Sequence, residues 1–387
     1  MKRIFSLENL IYLTVFSLPC YLLKITLFGL PSNALELLII INIIFWLLSC
    51  AKKNSWFDFL EKYKTFFWPV GLIFFGLILS MLVNKSYLVS AGIIKAWFVL
   101  PVLFALAINS VINVDRRENV FKVYYFSAFF IALISLVYFI FGYLTYDGRL
   151  AGIFNSPNYL AMYLAPAIFV GYHLLWRNGA GCFKKRLVFV SSGIIILALY
   201  LTYSYATWLA LLVAFLLVFG VEKKTFFRKT FVISLIMLAL VFFQQGKNKF
   251  ADLVSLNTRS SLASREMIWR TAEKMIQENW LYGIGVGNFQ TKYLEYQKYF
   301  PPYLEWAVPH PHNLYLAFWL YCGLIGFVGF ILLIIFWFKV LFAGQKNPNL
   351  KFMGLGIMVY ILFHGFFDTT YFKNDLAVIF WLLFALL

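Results

Sequence analysis

The chain has 387 residues, 63% of them hydrophobic and 13% charged, with a formal net charge of +17. A soluble domain is nearer half apolar and a quarter charged, so this composition excludes an ordinary soluble enzyme and predicts a polytopic membrane protein. The positive charge does not mark a nucleic-acid binder, because most basic residues punctuate the ends of apolar runs.

A helix needs about 20 apolar residues to cross a bilayer. In chain order the sequence predicts twelve spans, at 10–28, 35–50, 66–83, 88–108, 122–143, 159–176, 187–203, 206–221, 230–244, 313–338, 352–367 and 376–387. Met1-Lys2-Arg3 precedes the first of these, and no small-residue cleavage site follows, so it reads as a retained span and not a signal peptide. The pairs 187–203 with 206–221, and 352–367 with 376–387, are close enough in sequence for tight hairpins. No internal repeat or low-complexity linker interrupts the chain. The expected fold is all-α, a single integral membrane domain over 1–387 with about twelve transmembrane helices and one large external loop, 245–312, that contains short helices. The four cysteines, Cys20, Cys50, Cys182 and Cys322, lie in or beside apolar runs and support neither a disulfide framework nor a paired-cysteine zinc site.

Basic residues set the orientation. One set of short loops and termini carries 20 lysines and arginines, among them Lys52, Lys53, Arg116, Arg117, Lys184, Lys185 and Arg186. The short loops on the other side carry three, Lys85, Arg149 and Lys373. Segment 245–312 carries eight more, but long loops cross regardless of charge. This asymmetry predicts cytoplasmic termini and an external segment 245–312.

The polar residues worth weighing come next, in chain order. Glu36 and Lys24 sit at span ends and read as facing headgroups. Lys95 lies inside span 88–108, where an ionisable group defaults to a functional hypothesis, though it can also snorkel. Tyr146-Asp147-Gly148-Arg149 opens a second external segment that runs through Leu150-Ala151-Gly152-Ile153-Phe154-Asn155-Ser156-Pro157-Asn158 into a helix start. Arg149 either pairs with Asp147 or holds a phosphate. His173, near a cytoplasmic span end, is assigned no role.

Within the external loop, 262–280 reads as a helix with Ile268, Ala272, Met275 and Ile276 on one stripe. Ser260, Ser261 or Ser264 can cap it, and Trp269 and Trp280 suit a membrane interface. Arg265 has no carboxylate three or four residues away. Arg270 has Glu266 and Glu273 at pairing distance, so a surface ion pair competes with a substrate role. A planar, permanently charged guanidinium is suited to phosphate oxygens. Gly283-Ile284-Gly285-Val286-Gly287 follows. No strand precedes it, so it reads as a flexible C-cap and turn and not as a nucleotide-binding loop.

The most informative stretch is Pro309-His310-Pro311-His312-Asn313, with Gly323-Leu324-Ile325-Gly326 nine residues on. His312 is the candidate for chemistry, because a neutral imidazole can take a proton from an attacking hydroxyl. Asn313 can cap the following helix or bond a sugar. His310 and His312 would make two metal ligands, but the sequence shows no third at suitable spacing, so no metal is expected. Gly323 and Gly326 favour close helix packing. Asp368, one helical turn beyond His364, can orient an arginine or lysine or form a structural salt bridge.

These residues together resemble the bacterial O-antigen ligase and O-antigen polymerase superfamily. His312-Asn313 and Gly323-Leu324-Ile325-Gly326 look like its His-Asn…Gly-x-x-Gly motif, with Phe327 where a threonine often follows. Gly152 to Asn158 is similar to its Gly-x-Phe-x-x-Pro-Asn segment. Ser264-Arg265…Trp269 and Gly283 to Phe289 look like the start of its large periplasmic loop. Asp368 lies where the family often has an acid. One departure stands out: Thr202-Tyr203-Ser204-Tyr205-Ala206-Thr207 puts Tyr205 where the family commonly has an arginine, with Arg149 or Lys95 as the substitute.

The resemblance implies a multi-pass protein of the bacterial inner membrane catalysing metal-independent, inverting glycosyl transfer at its outer face, with no cofactor. The donor would be a glycan on undecaprenyl pyrophosphate. The acceptor would be a lipid A core sugar for a ligase, or another lipid-linked repeat for a polymerase. His312 would be the base. Arg149, Arg265, Lys95 and, with less support, Arg270 would hold the pyrophosphate, with Asn158, Asn313 and Asp368 also at the substrate site. An oligosaccharyltransferase acting on protein, and a transporter for the same lipid-linked glycan, are the rivals. A transporter predicts polar residues spread through the mid-membrane, whereas here they gather at one face.

Overall fold

A computed structural model describes residues 6–27, 30–53, 56–176, 181–221, 261–301, 307–345 and 347–387, with isolated positions between 228 and 242. The described residues are 80% helical, consistent with an all-α membrane bundle. Among the described residues, five helices are long and apolar enough to cross a bilayer: Lys64–Val83, Tyr87–Val111, Val114–Ile140, Pro157–Trp176 and Leu314–Gly344. Leu7–Phe16, Ala34–Cys50 and Tyr205–Gly220 are shorter apolar helices. The predicted span 230–244 lies mostly outside the described residues, and 245–260 and 302–306 of the polar loop lie wholly outside them.

The first predicted span is not one helix. It is a ten-residue helix, α1 (Leu7–Phe16), followed by a 3-10 turn over Leu18–Leu22 and the antiparallel hairpin β1 (Lys24–Leu27) and β2 (Leu30–Asn33). Pro19 at the start of the turn and Pro31 in β2 do not fit a continuing helix, while Ile25 and Thr26 favour extended backbone. The chain then runs through α2 (Ala34–Lys53), α3 (Trp56–Val83), α4 (Tyr87–Ile94) and α5 (Leu100–Val111). A wide π-turn over Lys95–Val99 joins α4 to α5 within the predicted span 88–108. After α6 (Arg117–Ile140) and α7 (Pro157–Trp176) come α8 (Cys182–Tyr200) and α9 (Tyr205–Val221), joined by the short turn 201–204. They are not the tight hairpin expected, because α8 packs on α6 and α7, and α9 packs on α7 and the helix at 348–364.

The described part of the polar segment holds α10 (Ser261–Asn279) and α11 (Phe289–Tyr296). The predicted stripe on α10 is its packing face, with Ile268, Ala272, Met275 and Ile276 all buried. Three helices complete the fold: α12 (Leu314–Gly344), α13 (Pro348–His364) and α14 (Asn374–Leu382). The α13–α14 pair is not a tight hairpin. The turn 365–373 between them buries Asp368, Thr369 and Thr370, and this polar insertion separates the helices.

Two glycine devices hold the polar segment to the bundle. Gly323 interrupts α12 with φ +63° and ψ −174°, and a Cβ there would lie 2.2 Å from the Leu281 carbonyl oxygen. Gly323 is therefore a break that admits the chain after α10, not only the packing glycine the sequence suggested. Gly326 does pack closely, as its partner Gly76 on α3 would place a Cβ 2.7 Å from the Gly326 nitrogen. The run 283–287 is a docked turn with Gly283, Gly285 and Gly287 all at positive φ. Ile284 N–H donates to the Leu320 carbonyl at 2.7 Å, and the Asn84 and Ser90 side chains donate to the Gly283 and Val286 carbonyls.

Candidate active site

The starts of α7, α12 and α14, the end of α13, the α8–α9 turn and the polar segment meet at one end of the bundle. The loop 141–156 is tied into this end by its backbone. Leu150 N–H donates to the Leu201 carbonyl at 2.9 Å. At Gly152, φ is +58° and a Cβ would lie 2.2 Å from Ser135 Oγ on α6, which explains the glycine there.

A chain of polar contacts crosses this end. Arg149, a buried guanidinium, donates through Nε to the Thr202 carbonyl at 2.7 Å and through Nη2 to Asn158 Oδ1 at 2.8 Å. Asn158 Nδ2 donates to Asp368 Oδ2 at 3.1 Å. Asp368 Oδ1 lies 3.1 Å from His312 Nδ1 and accepts from the Thr369 N–H at 2.8 Å. The Asp368 side chain is 2% exposed and that of His312 is 27% exposed, so a buried carboxylate backs an imidazole that reaches the surface. Burial by itself would raise the Asp368 carboxyl, but His312, His310 and Arg265 hold it well below the usual carboxylate range.

Backbone strain marks the same end. His312 and Tyr203 adopt positive φ, +46° and +47°, a region that costs a non-glycine residue about 1–2 kcal/mol. Tyr203 follows the carbonyl that takes Arg149. His312 is held on both sides: Trp269 Nε1 donates to its carbonyl at 3.3 Å, and Asn313 caps α12 through Oδ1, accepting from Tyr315 and Leu316 N–H. Asn313 Nδ2 donates to the Phe366 carbonyl, so both ends of this amide anchor the turn that presents His312. Trp269 thereby clips the histidine backbone.

His310 was seen in the sequence only as half of a histidine pair. Its Nε2 lies 2.7 Å from Tyr159 Oη, its Nδ1 3.4 Å from Thr369 Oγ1, and its ring centroid 4.2 Å from that of His312. Burial, then the neighbouring His312, Lys373 and Arg265, push it down to about 3 against a smaller pull from Asp368. His310, His312 and Asp368 each offer a ligand-type atom, all within 4.8 Å of one another. The third potential metal ligand therefore exists after all. It was invisible in local spacing because the fold brings it from 56 residues away.

The remaining candidates divide. Arg265 is close enough for its charge to act on Arg149, His310 and Asp368. Arg270 is exposed and pairs with Glu266 at 2.6 Å, the surface ion pair the spacing allowed. Lys95 does not join the cluster. Its Nζ lies 2.7 Å from Glu36 Oε2, a carboxylate buried in the protein and not turned to headgroups as the sequence suggested. His364 turns to Tyr360 Oη at 3.0 Å. Tyr205, in the family's arginine position, begins α9 within the electrostatic reach of Arg149.

Residues 190–331 match the family model described as O-Antigen ligase. The match supports the O-antigen ligase and polymerase superfamily to which the motifs point. It contains Arg265, His312 and both motif glycines, Gly323 and Gly326. Arg149 and Asn158 precede it and Asp368 follows it, so the fold supplies three of the four members of the polar chain from outside the matched region. No curated protein sequence matches the chain. Five apolar helices among the described residues, with this match, support a multi-pass membrane protein, and the matched family acts on lipid-linked glycans.

Proposed function

We propose that this protein is an O-antigen ligase-type glycosyltransferase that moves a glycan from undecaprenyl pyrophosphate to a hydroxyl of a lipid A core sugar, at the outer face of the bacterial inner membrane. The observation that carries this reading is the continuous chain Arg149–Asn158–Asp368–His312. It places a fixed cation at one end and a partly exposed imidazole at the other. With Nδ1–H donating to Asp368, His312 Nε2 is left to accept a proton. The acceptor oxygen attacks the anomeric carbon, its proton passes to His312, and the bond to the pyrophosphate oxygen breaks with inversion. Arg149 and Arg265 stabilise the charge that develops on the leaving group. In the reading of twelve spans with both termini cytoplasmic, this end of the bundle, with the described part of the polar segment, faces outward.

Two positive side chains, Arg265 and Lys373, act electrostatically on this cluster, and a third, Arg149, is linked to it through Asn158. That surrounding field favours an anionic ligand over a resident metal cation, despite the His310–His312–Asp368 triad, and supports metal-independent transfer. The polymerase reading keeps one specific observation, Tyr205 in place of the family arginine.

The test is a deletion strain complemented with wild type or His312→Ala, with surface glycans resolved on a gel. Loss of the entire ladder from the lipid A core, with long lipid-linked chains accumulating, establishes a ligase. A single repeat on the core establishes a polymerase. A ladder unchanged by His312→Ala overturns the catalytic assignment.

A further inference from the structure

Lys373, the residue before α14, is a cation whose setting the sequence did not reveal. Its Nζ sits 3.2 Å from the centroid of the Tyr159 ring and 3.2 Å from Tyr21 Oη. No carboxylate lies within 4.0 Å of it among the described residues, and Asp375 and Asp368 act on it only at longer range. Tyr159 in turn binds His310, which stacks edge-on against His312. Lys373 thus reaches the catalytic histidine through two rings, on the side of His310, while Arg149 reaches it through Asn158 and Asp368.

Its position is firmly built. Asn374 Nδ2 donates to Glu36 Oε1 at 3.0 Å, and Trp97 Nε1 donates to Asn374 Oδ1 at 3.3 Å. The Lys95–Glu36 ion pair therefore fixes the start of α14 and, with it, Lys373. A partly buried ammonium with aromatic neighbours and no adjacent carboxylate loses hydration without a compensating charge. An anion arriving at this surface would supply that charge.

We infer that Lys373 is a substrate-binding residue that grips a phosphate oxygen of the lipid-linked pyrophosphate donor. This inference rests on the glycosyl-transfer reading above. The same chemistry could be met by a phospholipid headgroup, and the experiment separates the two sources.

The full-length protein is placed in nanodiscs of zwitterionic lipid, and binding of undecaprenyl pyrophosphate is measured for wild type, Lys373→Met, Lys373→Arg and, as an off-site control, Lys292→Ala, a surface lysine paired with Glu295. Lys373→Met is expected to weaken binding by about tenfold or more, the usual worth of a charge-assisted contact. Lys373→Arg and Lys292→Ala should bind as wild type does. A pH series adds a readout that a purely structural role would not move. Burial pushes Lys373 down to about 8 against the opposing pull of Asp375 and Asp368. The other groups around it are Tyr21, Tyr159, His310 and, beyond Asn374, Glu36. Wild-type affinity should therefore fall as pH rises through about 8, and Lys373→Arg should abolish that fall.

Unchanged binding by Lys373→Met overturns the inference and leaves the glycosyl-transfer reading standing. So does a pH-dependent loss that persists in Lys373→Arg. Equal, Lys373-dependent competition by phosphatidylglycerol assigns the site to headgroups and overturns the donor. Failure of wild type to bind the pyrophosphate lipid overturns both readings.

Discussion

Nδ1 of His312 lies 3.1 Å from Oδ1 of Asp368, a carboxylate buried in the turn between α13 and α14. That contact fixes which imidazole nitrogen is free to meet a substrate hydroxyl. Asp368→Asn should preserve the fold while presenting the wrong hydrogen-bonding partner to the ring. Glycan transfer should fall by about 100-fold, within the range for a positioned general base. A single-turnover assay with lipid-linked donor checks this, and a rate within threefold of wild type would remove Asp368 from the mechanism.

Arg149 uses its planar fork on two acceptors at once, the Thr202 carbonyl and Asn158 Oδ1, with Asp147 Oδ2 3.7 Å away. Lysine keeps the charge but cannot reproduce that geometry. Arg149→Lys should cut kcat/KM by about tenfold or more, the cost of a lost charge-assisted bond. Steady-state kinetics at fixed acceptor would show it, and unaltered kinetics would mean that point charge alone suffices.

Histidine 310 gives the site a pH signature. Its folded value, about 3, lies below the ordinary histidine value of 6.5. The unfolded chain therefore binds more protons between those limits, so the stability that neutral His310 contributes is present above about 6.5 and is lost progressively as pH falls toward 3. Thermal unfolding in detergent at pH 7.5 and pH 5 should show a drop in midpoint, and His310→Gln should shrink it. An equal drop in the variant would place the acid sensitivity elsewhere.

Gly323→Ala should be severe. The substitution combines a positive φ with a Cβ 2.2 Å from the Leu281 carbonyl oxygen, backbone that cannot rotate away. A loss of about 2 kcal/mol or more is expected from strain and clash together. Thermal melting of the purified variant measures it, whereas a midpoint equal to wild type would show that the break in α12 is dispensable.

Long-period features were legible in the sequence. Apolar runs gave the membrane bundle, and 3.6-residue spacing gave α10 and its buried stripe. His312, Arg149, Asn158 and Asp368 were each singled out, and the fold brings them together. What local patterns could not carry was their order of contact, since Asp368 was expected to meet an arginine or lysine and meets an asparagine and a histidine. The β1–β2 hairpin was hidden because Ile25 and Leu27 continue the apolar run that precedes them. Lys95 looked functional because an intramembrane charge is costly, and its partner Glu36 lies 59 positions away. Lys373 carried no signal beyond being basic in a short external loop, because aromatic rings from distant helices define its surroundings.

The break at Gly323 gives the spacing of the motif a mechanical meaning. Between the cap at Asn313 and the break lie residues 314–322, a rod of about 14 Å at helical rise. One end of the rod presents the histidine and the other seats the glycine turn that follows α10. The remainder of α12 runs on against α3 as a separate lever. Lengthening the rod by one residue would rotate His312 by about 100° relative to the docked turn. The nine-residue interval therefore acts as a ruler that keeps the reactive ring and the polar segment in phase.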